Sequence, residues 1–130
     1  MANMRLNQVT VAATDLDRSI AFYRTLGLKL IVLSPHYARF ELPDGDATFS
    51  LHLATQGPGL HAPAIYFESE TLDADVARLK SAGVVFDTDP VDQKWLWREA
   101  HLRDPAGNVL ILFYGGTNRT HPPWRVRDDD

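Results

Sequence analysis

The chain has 130 residues, 45% hydrophobic and 23% charged, with a formal net charge of −4 and no cysteine. That balance suits one domain, or two small modules sharing a sheet, and excludes a disulfide framework, a thiolate metal site and a cysteine nucleophile. No basic run or membrane-length apolar run is present, and the opening "MANMRLNQVTV" has no basic-then-apolar leader pattern; the expected partners exclude nucleic acid and membrane, and the expected location is the cytoplasm.

In chain order, "RLNQVTVAAT" alternates as a strand with Val9 and Val11 on its buried face. "DLDRSIAFYRTLG" spaces Ile20, Tyr23 and Leu26 as one helical face, with Asp15 or Asp17 as N-cap and Gly27 as the stop. "LKLIVLS", "HYARFELP" and "ATFSLHLA" read as three strands, with "PDGD" turning the chain between the last two. A Gly/Pro-rich stretch, "TQGPGLHAP", then interrupts the pattern.

The order starts again with "AIYFES" as a strand and "TLDADVARLKSAG" as a helix ending at Gly83. "VVFDTDP", "WREAHLR" and "NVLILFY" follow as strands, the last two joined by "DPAGN". Leu16 matches Leu72 and Gly27 matches Gly83, both 56 residues on; the same offset pairs Val9 with Ile65 and Gln8 with Ala64. Strand, helix and stop agreeing at one offset mark two copies of one βαβββ unit. The expected modules are about 5–55 and 63–114 of a single 1–130 domain, with a linker at 56–62 and a tail at 115–130.

One helix covers one face of each sheet, leaving the other face free to line a cleft. Alternation aims Gln8, Thr10 and Ala12 there, and by the repeat Ala64, Tyr66 and Glu68. Glu99, His101 and Arg103, then Val109, Ile111 and Phe113, are expected on the same side. Trp95 and Trp97 precede a strand and by alternation share a face, at the rim of such a cleft. Aromatic walls with few polar groups suit a flat organic ligand. Two carboxylates and an imidazole, Glu68, Glu99 and His101, suit acid–base work or a divalent ion, unless Arg39, Arg98 and Arg103 pair with the carboxylates.

"LNQVTVAATDLDRSIAFYRTLGLKL" and "AIYFESETLDADVARLKSAGVVF" followed by "LRDPAGNVLILFY" resemble the two modules of the vicinal oxygen chelate superfamily. That group includes glyoxalase I, extradiol dioxygenases and bleomycin resistance proteins. The resemblance implies an α+β fold, in which two βαβββ modules form an eight-stranded barrel-like cleft with helices outside, and a homodimer. It also implies a divalent metal held on first and last strands. Carried over, those positions are Gln8, Ala64, Ile111 and either Ser50 or His52. Ala64 and Ile111 cannot ligate, so no metal or other cofactor is expected. If one of Ni, Zn, Mn or Fe binds, Gln8, His52, Glu99 and His101 are the candidates.

Three functions stay open. The first is sequestration of a small organic molecule or drug by Gln8, His52, Tyr66, Glu68, Trp95, Trp97 and Phe113. The second is a lyase, isomerase or dioxygenase with a rearranged metal site and Glu99 and His101 as catalytic groups. The third is a non-catalytic structural or regulatory dimer. The tail adds "PPWR", with Trp124 set either on a partner subunit or over the cleft, and a closing "RDDD" expected to lack order.

Overall fold

A computed structural model describes residues 3–126. The chain separates into two units: residues up to Pro63 together with Arg103–Asn108, and Ala64–Leu102 together with the chain from Val109 onward. The closing "RDDD" lies outside the described residues.

In the first unit, β1 (Gln8–Ala13), α1 (Leu16–Leu26), β2 (Lys29–Ser34), β3 (Tyr37–Glu41) and β4 (Thr48–Leu53) follow in order. The sheet order is β1-β4-β3-β2, with β1 parallel to β4 and β3 antiparallel to both its neighbours. Asp15, rather than Asp17, caps α1: its carboxylate accepts the Arg18 N–H at 3.0 Å. Gly27 ends the helix at φ 112°, a left-handed conformation that favours glycine. The helix buries Ile20 and Tyr23 with Ala38, Phe40, Phe49 and Leu51 of the sheet. Alternation leaves Gln8, Thr10, Tyr37, Arg39, Thr48, Ser50 and His52 on the opposite face.

The "DPAGN" turn belongs to this unit. Tyr23 Oη donates to Asp104 Oδ2 at 2.6 Å, and Asn108 Nδ2 donates to the Ala12 carbonyl at 2.8 Å. Asp104, 5% exposed, also accepts from the Ala106 and Asn108 N–H groups and from Asn108 Nδ2. Burial beside the Asp104 carboxylate, which also accepts its hydrogen bond, holds the Tyr23 phenol far above the ordinary tyrosine range.

In the second unit, β5 (Ile65–Glu68), α2 (Leu72–Ser81), β6 (Val91–Asp92), β7 (Arg98–Arg103) and β8 (Val109–Tyr114) form a sheet of order β5-β8-β7-β6. A short 3-10 helix, Gly116–Arg119, follows. The two helices begin at Leu16 and Leu72, keeping the 56-residue offset, and β1–β4 and β5–β8 are both parallel. The expected α+β class with two βαβββ units holds, and the eight strands are hydrogen-bonded as two sheets of four.

One expected strand does not form. "VVFDTDP" (84–90) contributes a single bridge, Phe86 with Leu102, and the strand is the two-residue β6 beyond it. The Thr88 hydroxyl accepts the His101 N–H at 3.0 Å, where a ladder carbonyl would sit, and Pro90 has no N–H to give.

Candidate functional site

The second unit turns an aromatic face away from α2. Ile65 and Phe67 pair with Leu110 and Leu112 on the helix side, so Tyr66, Glu68, Ile111 and Phe113 take the other. Trp97 stacks on Phe113 with ring centroids 4.6 Å apart and planes 26° from parallel. Tyr66 stands edge-on to both, at 5.8 Å from Trp97 and 5.5 Å from Phe113. Trp97 Nε1 donates to the Asn118 carbonyl at 3.3 Å, fixing the indole from its polar edge. Gly115 makes room for it: a Cβ there would lie 2.9 Å from Trp97 Nε1. Glu68 secures that glycine, its Oε2 accepting the Gly115 and Gly116 N–H groups at 3.0 and 3.1 Å, with Arg119 at 3.6 Å from Oε1.

Residues 93–97 form a tight turn, Leu96 has φ 67°, and the alternation that would align the two indoles is broken. Trp95 Nε1 instead donates to Glu99 Oε2 at 2.7 Å. Glu99 is 2% exposed, and its other oxygen lies 2.9 Å from His101 Nε2. An ionised Glu99 requires the proton on Nε2, which leaves His101 Nδ1 as an acceptor. Arg98 does not pair with these carboxylates; it binds Asp73 through Nε and Nη2 and Asp92 through Nη1. Those hydrogen bonds hold the Arg98 guanidinium above its ordinary pKa and the Asp73 carboxyl below its own.

The first unit holds a cluster that residue patterns alone did not single out. Tyr37 Oη and Ser50 Oγ lie 2.7 Å apart, and Arg39 Nε donates to Tyr37 Oη at 2.9 Å. Gln8 accepts from Thr48 Oγ1 at 2.8 Å. The hydrogen bond from Ser50, aided by Arg39 and Gln8 and opposed by desolvation, lowers the Tyr37 pKa below the ordinary tyrosine value. "YARFE" did carry the signal: Ala38 and Phe40 are buried, so Tyr37 and Arg39 share the other face. His52 is exposed on that face, opposite Tyr37 in the ladder.

The structure also fixes the register that left Ser50 and His52 open. Thr10 pairs with Ser50, and its repeat partner Tyr66 pairs with Ile111, so Ser50 stands where Ile111 does. The positions that the family resemblance implies for a metal are therefore Gln8 and Ser50 in the first unit and Ala64 and Ile111 in the second. They offer one amide and one hydroxyl, both already hydrogen-bonded, and two hydrocarbon side chains, which do not fit a divalent ion. Among the described residues no three His, Asp or Glu side chains gather as a metal cluster, and no helix is long and apolar enough to cross a membrane.

Residues 5–112 match the model of the Glyoxalase/Bleomycin resistance protein/Dioxygenase superfamily. The chain is 30% identical to a trivalent organoarsenical cleaving enzyme from Bacillus sp. (strain MD1), over 92% of this chain and 81% of the relative. A glyoxalase/bleomycin resistance protein/dioxygenase from Nocardioides has the same fold, with TM-score 0.78, 21% identity and coverage of 98% of this chain and 92% of that one. A bleomycin-binding protein in complex with bleomycin superposes with TM-score 0.71 at 20% identity, covering 88% of this chain and all of that one (100%).

Proposed function

The chain belongs to the Glyoxalase/Bleomycin resistance protein/Dioxygenase superfamily, and from that premise we propose that it binds a small, flat organic molecule without a metal ion. The ligand lies on the Tyr66–Trp97–Phe113 face. The observation that carries this reading is Tyr66. Its ring is set edge-on to two stacked aromatics yet stays 48% exposed, so a rigid aromatic surface is held open rather than filled by its own side chains. That openness also speaks against a purely structural role for the face.

The likeness to the bleomycin-binding protein supports sequestration at the level of the fold. The arsenical-cleaving relative points elsewhere, but trivalent arsenic seeks thiolates and this chain has no cysteine. Arsenic–sulfur ligation is closed to it.

A second reading rests on Glu99 and His101. A buried carboxylate orienting an accessible imidazole is an acid–base pair, and His101 as a base needs no metal. The protein works as a homodimer on this proposal. The edge strand β2 supports it, since Ile31 and Leu33 are 45% and 61% exposed on a strand with a free edge.

The test of the binding reading is titration with a neutral aromatic fluorophore, N-phenyl-1-naphthylamine, following its emission and tryptophan quenching. Saturable binding that survives chelator treatment and is lost in Trp97→Ala is the expected result. Binding unchanged in Trp97→Ala, with the variant folded by circular dichroism, sinks the reading.

A further inference from the structure

We propose that Arg39, Tyr37 and Ser50 form a binding site for a carboxylate on the sheet of the first unit. The inference is independent of the aromatic face, which belongs to the second unit. It starts from Arg39, a half-buried guanidinium in the middle of β3. One of its five N–H donors is used, by Tyr37 Oη at 2.9 Å. Among the described residues no carboxylate lies within ion-pairing distance of it, and its two terminal nitrogens have no hydrogen-bond partner. Arg98 shows the contrast, with its guanidinium taken up by Asp73 and Asp92.

A half-buried cation without a counter-ion is costly unless something supplies one. Here the guanidinium is also aimed. The bond through Nε and the Tyr37 ring, 5.4 Å from the guanidinium carbon, fix its plane and leave its two-pronged end free. Tyr37 is fixed in turn by Ser50, which is fully buried (0% exposed) on β4 directly opposite Arg39. Gln8, held by Thr48, stands by the Tyr37 hydroxyl. A planar fork with a hydroxyl beside it matches two coplanar oxygens. Beside the half-buried guanidinium of Arg39 the face carries Glu41, two residues along β3, and the exposed Lys29 opposite Glu41 on β2, which leaves Arg39 as the positive charge next to the hydroxyls. A monoanionic carboxylate fits that charge; a phosphate dianion asks for more.

The test follows the Arg39 Nε–H resonance in 15N-labelled protein titrated with benzoate, its neutral isostere benzamide, and phenyl phosphate. Benzoate is expected to give a saturable shift, benzamide none, and phenyl phosphate weaker binding than benzoate. Arg39→Gln should weaken benzoate about tenfold or more, read from backbone amides around Ser50. If that variant does not fold, Arg39→Lys keeps the charge without the fork and should lose affinity as well. The benzoate-dependent shifts should fall on the Arg39 side chain and the backbone amides around Ser50. Equal response to benzamide, tighter binding of phenyl phosphate, or wild-type benzoate affinity in the folded Arg39 variant would overturn the proposal.

Discussion

Trp97 lies on Phe113 with the two rings 4.6 Å apart and 26° from parallel, while Phe113 itself is 4% exposed. The indole is thus both a surface of the face and the cover of a core residue. Trp97→Ala should cost about 1–3 kcal/mol of stability, from lost stacking and the uncovered phenyl ring. Trp97→Phe should recover most of it, with both read by urea unfolding.

Gly115→Ala is expected to act on Trp97 rather than on the backbone. The new methyl group would sit 2.9 Å from the indole nitrogen, so the ring must move. Near-UV circular dichroism should lose tryptophan fine structure while the far-UV spectrum stays, and fluorophore binding should fall with it. An unchanged near-UV spectrum would show that the indole has other room.

Tyr23 links stability to alkaline pH. Its folded pKa is raised, so its contribution is complete below the unfolded tyrosine value of about 10 and is lost as pH rises above it. Tyr23→Phe should cost about 1–3 kcal/mol near neutrality, since a buried hydrogen bond to Asp104 is lost. Above pH ~10 the stability of the variant should fall less steeply, by one proton, than that of the parent. Parallel slopes would mean that Tyr23 ionises freely in the folded state.

Tyr37 is displaced the other way, lowered first by the hydrogen bond from Ser50. Ultraviolet difference titration should show one tyrosine ionising ahead of the others. Ser50→Ala should move that step upward, and Arg39→Gln should move it upward too. A lack of any early step would remove Ser50 and Arg39 as donors to the phenolate.

Much of the fold was legible in the residues because its signals are local. The Asp15 cap, the left-handed Gly27 and the alternation of "YARFE" over Tyr37–Glu41 each act within a few positions. The 84–90 segment misled because Thr88 satisfies the His101 N–H with its side chain, which composition does not reveal. Strand alternation does not run through Trp95 and Trp97, because Leu96 turns the chain between them at φ 67°. Of the candidate site residues, Tyr66, Trp97 and Phe113 come together, as do Trp95, Glu99 and His101, while Glu68 serves the Gly115–Gly116 turn. The Arg39–Tyr37–Ser50 cluster needed the β3–β4 register, which depends on how the "PDGD" turn closes.

The bond between Tyr23 and Asp104 spans 81 positions of chain. Because the "DPAGN" turn completes the first unit, that unit is not finished when its own helix and strands have been made. A ribosome must release the hairpin near the end of the second repeat before the Tyr23 hydroxyl and the Ala12 carbonyl find their partners. The two repeats look separable on paper, yet the earlier one borrows its last piece from the later. A fragment ending at the Gly/Pro-rich connector therefore leaves the Tyr23 phenol without its acceptor, and the boundary of the repeat is not the boundary of the unit.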